Sequence, residues 1–146
     1  KRSTIVMKYI EGDKLRDVLP SLNGSKKDRY FKILGCYIAR LHLNGHVHGD
    51  ITTSNIIITP QGEVFLIDFG LHDYSDTIED KSVDIHLLKR VLLSSHGSDF
   101  EACYSSFLRG YEEECANKGS KEADLIIRHV DTIESRGRYV KKKDRK

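Results

Sequence analysis

The sequence predicts an α+β fold, predominantly helical and built around one short β-hairpin. Two β-branched runs, Ile56-Ile57-Ile58 and Val64-Phe65-Leu66-Ile67, flank Pro60-Gln61-Gly62, which is hairpin turn chemistry. Four longer stretches repeat apolar residues at helical spacing, with polar linkers between them. At 146 residues, 38% hydrophobic and 32% charged, the chain is one domain's worth and long enough to bury a core.

In chain order, residues 3–10 are β-branched and apolar and break at Glu11-Gly12, which reads as a strand entering a linker. Asp13 is placed to cap a short helix carrying Leu15, Val18 and Leu19, stopped by Pro20. After a polar loop at residues 23–27, a longer helix is expected from about Asp28. It carries Phe31, Leu34, Ile38 and Leu41 on one face, and Gly45 stops it. The hairpin follows. From Glu79 the pattern turns helical again, with Leu87, Leu88, Val91 and Leu92 as an apolar stripe. Ser98-x-x-Glu101 reads as a capping box for a helix with Phe100, Cys103, Phe107 and Tyr111 on one side, ended by Gly119. Ser120 can cap a last helix with Ala123, Ile126, Ile127, Val130 and Ile133 inward, and beyond Glu134 a basic, disordered tail is expected.

The chemistry concentrates around the hairpin. His48-Gly49-Asp50 precedes Asn55, and Asp68-Phe69-Gly70 follows the second run. An acid, an amide five positions on and a second acid at a strand end suit phosphoryl transfer, which asks for a positioned hydroxyl and metal-neutralised phosphate oxygens. Asp50 is the candidate catalytic group, accepting the proton of the attacking hydroxyl or water. Asn55 and Asp68 are candidate hard-oxygen ligands for Mg²⁺. Because the hairpin is antiparallel, Asn55 before its first strand and Asp68 after its second lie at the same end, within reach of one cation. These are the signatures of protein-kinase catalytic and metal-binding loops. His42, His46 and His48 do not make a zinc set, since Gly45 separates the first two from a shared helical face and no carboxylate or Cys completes them.

Composition excludes other classes. No apolar run approaches the ~20 residues of a membrane span, and three cysteines without a C-x-x-C give no disulfide framework and fit a reducing compartment. From Arg136 onward seven basic residues face one acid, so a +6 tail follows a body of −4, a pattern that suits an encounter with phosphate or an acidic partner. The only methionine is Met7, inside the strand-like segment, so the chain is expected to be an excerpt of a longer protein.

Four features together, H-G-D-I-T-T-S-N at 48–55, I-D-F-G-L at 67–71, E-D-K-S-V-D at 79–84 and R-G-R at 136–138, resemble the PRPK family of small atypical serine/threonine kinases of the KEOPS tRNA-modification complex. RIO kinases share a similar loop but lack the 79–84 run. A free-standing RIO-like serine/threonine kinase is a further alternative, weakened by the short activation segment after Leu71. The resemblance implies a protein-kinase-like fold: residues 1–12 as the end of an N-lobe strand and the hinge, 13–135 as the C-lobe, 136–146 as a basic tail. It implies ATP and Mg²⁺ as cofactors, with Met7 as gatekeeper and the backbones of Lys8 and Ile10 facing adenine. His48, Phe69 and Gly70 would then shape the turn beside Asp68, and Asp84 would accept backbone N–H groups of the catalytic loop. The implied partners are the KEOPS catalytic subunit and other KEOPS subunits, with no membrane, in cytoplasm and nucleus. Arg136, Arg138, Lys141, Lys142 and Lys143 would meet that partner or tRNA. Gly49 stands where signalling kinases carry an arginine, and Thr52 where many carry a lysine, so partners rather than loop phosphorylation would switch activity. The tail departs from the family in having Tyr139-Val140 after R-G-R and no Ser or Thr beyond Ser135. A non-catalytic docking module using the same surface and tail is the rival reading.

Overall fold

The computed structural model describes residues 2–143, with side chains through residue 137. It is α+β, mostly helical. Strand β1 (Asp13–Lys14) is followed by helix α1 (Leu15–Val18), a 3₁₀ turn (Leu19–Ser21) and helix α2 (Gly24–Leu43). Strands β2 (His46–Val47), β3 (Ile56–Ile58), β4 (Val64–Leu66) and β5 (Asp73–Tyr74) come next, then helices α3 (Ile78–Ser95), α4 (Phe100–Asn117) and α5 (Ala123–Lys143). A three-stranded antiparallel sheet runs β1-β3-β4, and β2 pairs separately with β5. The hairpin registers Ile56 on Leu66 and Ile58 on Val64.

Local chemistry explains where these elements start and where the sequence reading needs correction. The segment expected as a strand, residues 3–10, carries no helix or strand. Propensity alone does not make a strand; a ladder partner does, and among the described residues none pairs with it. Asp13 is not a cap either: its backbone joins the sheet opposite Ile58, and α1 opens after Lys14 without a side-chain cap. Helix α2 begins four residues before its expected start because Asn23 accepts the Lys26 N–H at 2.9 Å, a cap that turns the polar stretch after it into the first helical turn. The capping box at Ser98 does not form. A 3₁₀ turn at Gly97–Asp99 runs straight into α4, so backbone carbonyls satisfy its first amides, and Asp99 instead receives the Lys27 ammonium at 2.8 Å. Finally, residues 136–143 continue α5 rather than forming a disordered tail. Gly137 sits among Arg and Lys, which favour helix.

The core lies where α2 and α4 cross, with α3 and α5 closing it. Phe31, Leu34 and Ile38 of α2, and Phe107 and Tyr111 of α4, are fully buried, each apolar side chain contributing about 1.5–3 kcal/mol over its exposed state. The crossing depends on two glycines. A Cβ on Gly35 would lie 2.0 Å from the Phe107 carbonyl oxygen, and one on Gly110 would lie 2.0 Å from that of Lys32. Neither backbone can retreat without opening the core.

Candidate active site

The hairpin sets the geometry. The Ile67 N–H donates to the Asn55 carbonyl at 2.9 Å, so the residue before β3 and the start of Asp68-Phe69-Gly70 are held side by side. Asn55 closes a 3₁₀ turn (Thr53–Asn55), and its side-chain amide nitrogen donates to the Asp50 carbonyl at 3.0 Å and to the Asp50 carboxylate at 2.9 Å. Those oxygens only accept, so the amide NH₂ must face Asp50 and Oδ1 is turned away, without a hydrogen-bond partner among the described residues. Asp68 is exposed and takes a left-handed backbone (φ 60°), which an Asp tolerates. Its Oδ1 accepts the Gly70 N–H at 3.2 Å. Asp50 and Asn55 are half-buried, so all three groups are reachable from solvent.

Behind them the loop is fixed by buried polar groups. Asp84, 1% exposed on α3, accepts the N–H of His48 at 2.9 Å and of Gly49 at 2.8 Å. Its Oδ2 also meets His42 Nε2 at 2.9 Å, and His42 Nδ1 meets the Tyr111 hydroxyl at 2.8 Å. Burial pushes the Tyr111 phenol far above its usual range, so it donates to Nδ1, and His42 carries its proton on Nε2 toward the carboxylate. One chain of hydrogen bonds thus joins α4, α2 and α3 to the loop backbone. His48 is buried: its Nδ1 accepts the Asp50 N–H at 3.2 Å, so its Nε2–H donates to the Ile67 carbonyl at 3.0 Å. Its ring packs edge-on against Phe69 with centroids 4.7 Å apart. Gly49 has φ 83°, and a Cβ there would lie 2.2 Å from the Leu71 carbonyl oxygen. The position expected to stand in place of an arginine has no room for a side chain in this backbone.

The other candidates fall in different places. Lys8 lies over the Phe65 ring on β4, its ammonium 5.5 Å from the centroid. Met7 is exposed and Ile10 half-buried, and neither shares a hydrogen bond or ring contact with Asp50, Asn55 or Asp68. Arg136 reaches Glu79 at 3.9 Å, and Glu79 also pairs with His129. The side chains of Arg138, Lys141, Lys142 and Lys143 lie outside the described residues.

Three groups escaped the sequence reading. His42 had a signal, a polar residue four positions after Ile38 on the buried stripe of α2. Thr53 and His96, hydrogen-bonded at 3.0 Å and 43 residues apart, had none. Lys81, 2% exposed, pairs with Asp76 at 3.1 Å and Glu122 at 3.2 Å, while Ser82 Oγ lies 3.0 Å from the Ile126 carbonyl. The run at 79–84 therefore fastens α3 to α5 at Ser82, to Glu122 just before α5 at Lys81, and to the loop at Asp84.

The donor set fits a nucleotide-borne Mg²⁺. Among the described residues no three His, Cys, Asp or Glu side chains converge on one point. The candidate ligands are the Asn55 amide oxygen and the Asp68 carboxylate, enough for a cation whose remaining ligands are phosphate and water. Burial pushes the Cys103 and Cys115 thiols up to about 11, so neither offers a thiolate at neutral pH.

The model of the ABC1 atypical kinase-like domain matches residues 1–106. The KEOPS complex subunit Bud32 of Pyrococcus abyssi is 42% identical over 95% of this chain, which spans 61% of that relative's length. The EKC/KEOPS complex subunit BUD32 of Eremothecium gossypii is 36% identical over 72% of this chain and 43% of its own. A probable bifunctional tRNA threonylcarbamoyladenosine biosynthesis protein of Methanobrevibacter smithii is 37% identical over 95% of this chain and 24% of its own. The chain belongs to the ABC1 atypical kinase-like family, and along nearly its whole length it is similar to Bud32-type subunits.

Proposed function

We propose that this chain carries the phosphoryl-transfer half of an ATP-dependent kinase or ATPase that works within a KEOPS-type complex and supports threonylcarbamoyl-adenosine formation on tRNA. One observation supports this above the rest: the Asn55 amide nitrogen is committed twice to Asp50, so its Oδ1 faces away from that carboxylate, while the Ile67 N–H on the Asn55 carbonyl holds the residue before Asp68 against Asn55. Mg²⁺ and ATP, when bound, supply the transferable phosphoryl group and the neutralisation of its charge. Asn55 Oδ1 and Asp68 would hold the cation. Asp50, oriented by Asn55 and by its own N–H on His48, would take the proton of the attacking hydroxyl or water. Met7 would be the gatekeeper, and the backbones of Lys8 and Ile10 would face adenine. Arg136 and the basic residues after it would meet the partner enzyme or tRNA phosphates, and such binding to phosphates weakens steeply as salt rises.

The test is ATP turnover by the complete natural protein, alone and with its KEOPS partner and tRNA, against Asp68→Asn. Asparagine tolerates the left-handed backbone, so that variant should melt with the native protein while turnover falls about 100-fold or more. Equal turnover by both proteins in every mixture overturns the enzymatic reading and leaves the docking module.

A further inference from the structure

Helix α3 holds the loop at two points, not one. Asp84, in its second turn, binds the loop's entry at His48 and Gly49. His96, the residue that ends the same helix, hydrogen-bonds through Nε2 to the Thr53 hydroxyl near the loop's exit. Twelve residues of helix separate the two anchors, about 18 Å, and Asp50 lies in sequence between the loop residues they hold, Gly49 and Thr53. We propose that His96 is a positioning residue for Asn55, acting through Thr53; this rests on the phosphoryl-transfer reading above.

The geometry runs in one direction. The His96 backbone is fixed on both sides, its N–H on the Leu92 carbonyl at 2.9 Å and its own carbonyl receiving the Asp99 N–H at 2.9 Å. The imidazole is buried, as is Thr53, 1% exposed. Thr53 opens the 3₁₀ turn that Asn55 closes, and the Asn55 N–H is held by the Thr52 carbonyl at 3.0 Å. Holding the Thr53 hydroxyl therefore sets where the turn ends, and the end of the turn sets the Asn55 amide on Asp50. Without the strut, Asn55 loses its register relative to Asp50 first. The hydrophobic core beneath Ile51 and Ile56 is untouched.

The experiment compares native protein, Thr53→Val, His96→Phe and His96→Gln, all in the complete natural chain. Thr53→Val is nearly isosteric and carries the test if His96→Phe does not fold. The first readout is hydrogen exchange. The Asn55 amide should exchange about tenfold faster in Thr53→Val, with the β4 amides unchanged. The second is affinity for Mn²⁺ in the presence of a non-hydrolysable ATP analogue. It should weaken about tenfold in Thr53→Val and His96→Phe, as when the support behind a metal ligand is removed, and return most of the way in His96→Gln. Native-like exchange at Asn55 in folded Thr53→Val overturns the proposal, and so does uniform acceleration of every amide, which would mean a general loss of stability. A native protein that binds no Mn²⁺ with the analogue overturns the phosphoryl-transfer reading instead, and exchange at Asn55 then decides the strut alone.

Discussion

Two irregular segments of this chain meet opposite fates. Residues 2–11 and the loop at 48–52 both lack helix and strand. The loop nonetheless has its backbone held by side chains from α3, and His48 and Ile51 are fully buried. The N-terminal segment leaves Ile5, Val6, Met7 and Tyr9 more than three-quarters exposed, while Lys8 places its ammonium over the Phe65 ring. Irregular backbone is held at this loop by buried polar side chains that replace the missing ladder, since unpaired buried N–H and C=O groups are costly. Asp84 does this for two amides and an imidazole at once.

The largest effect that would sharpen the contrast is therefore Asp84→Ala. It leaves the His48 and Gly49 amides and the His42 Nε2–H without their acceptor in a buried site. That should cost about 3 kcal/mol or more, measured by denaturant unfolding. A loss below about 1 kcal/mol, the range of ordinary surface changes, would mean that the loop is held by something other than this carboxylate.

A smaller effect concerns pH. Burial is the first cause lowering the His86 and His96 imidazoles below their ordinary 6.5. The folded state therefore resists protons that the unfolded chain accepts. The stability linked to these groups is complete above about 6.5 and is lost as pH falls through the lowered values. Unfolding midpoints should drop between pH 7.5 and 5.5, and His96→Gln should remove part of that drop. Parallel curves for native protein and variant would show that His96 does not titrate differently on folding. The lowered carboxylates of Asp80 and Glu114 act only at more acidic pH, from about 4.5 downward, so they do not confuse this window.

What the sequence revealed divides along the same line. The hairpin was legible because its signals are local: β-branched runs and a Pro-Gln-Gly turn fix an antiparallel pair, and that pair alone places Asn55 beside Asp68. The apolar stripes were legible because helical spacing repeats. The ties that hold the loop were not, because Asp84 reaches it across 35 and 36 residues and His96 across 43, with no periodicity between donor and acceptor. Asp84 came from the family resemblance. His42 showed only as a polar residue on a buried stripe, and Thr53 with His96 showed nothing at all. The strand expected at residues 3–10 failed for the converse reason: composition was right, but a strand is a property of two segments.

The smallest expected effect tests that last point directly. If residues 2–11 gain nothing from this chain, replacing both Ile5 and Val6 by Ser should change its unfolding free energy by less than about 0.5 kcal/mol, the usual size for surface positions. Their side chains are 83% and 91% exposed, so almost no apolar area returns to water when they go. Amides 3–10 should also exchange at close to unprotected rates, because among the described residues none of them joins a backbone hydrogen bond. Protected amides or a cost near 2 kcal/mol would require burying most of two β-branched side chains, hence a ladder partner for the segment. The comparison with the loop would then collapse, because both segments would be held, one by side chains and the other by a sheet.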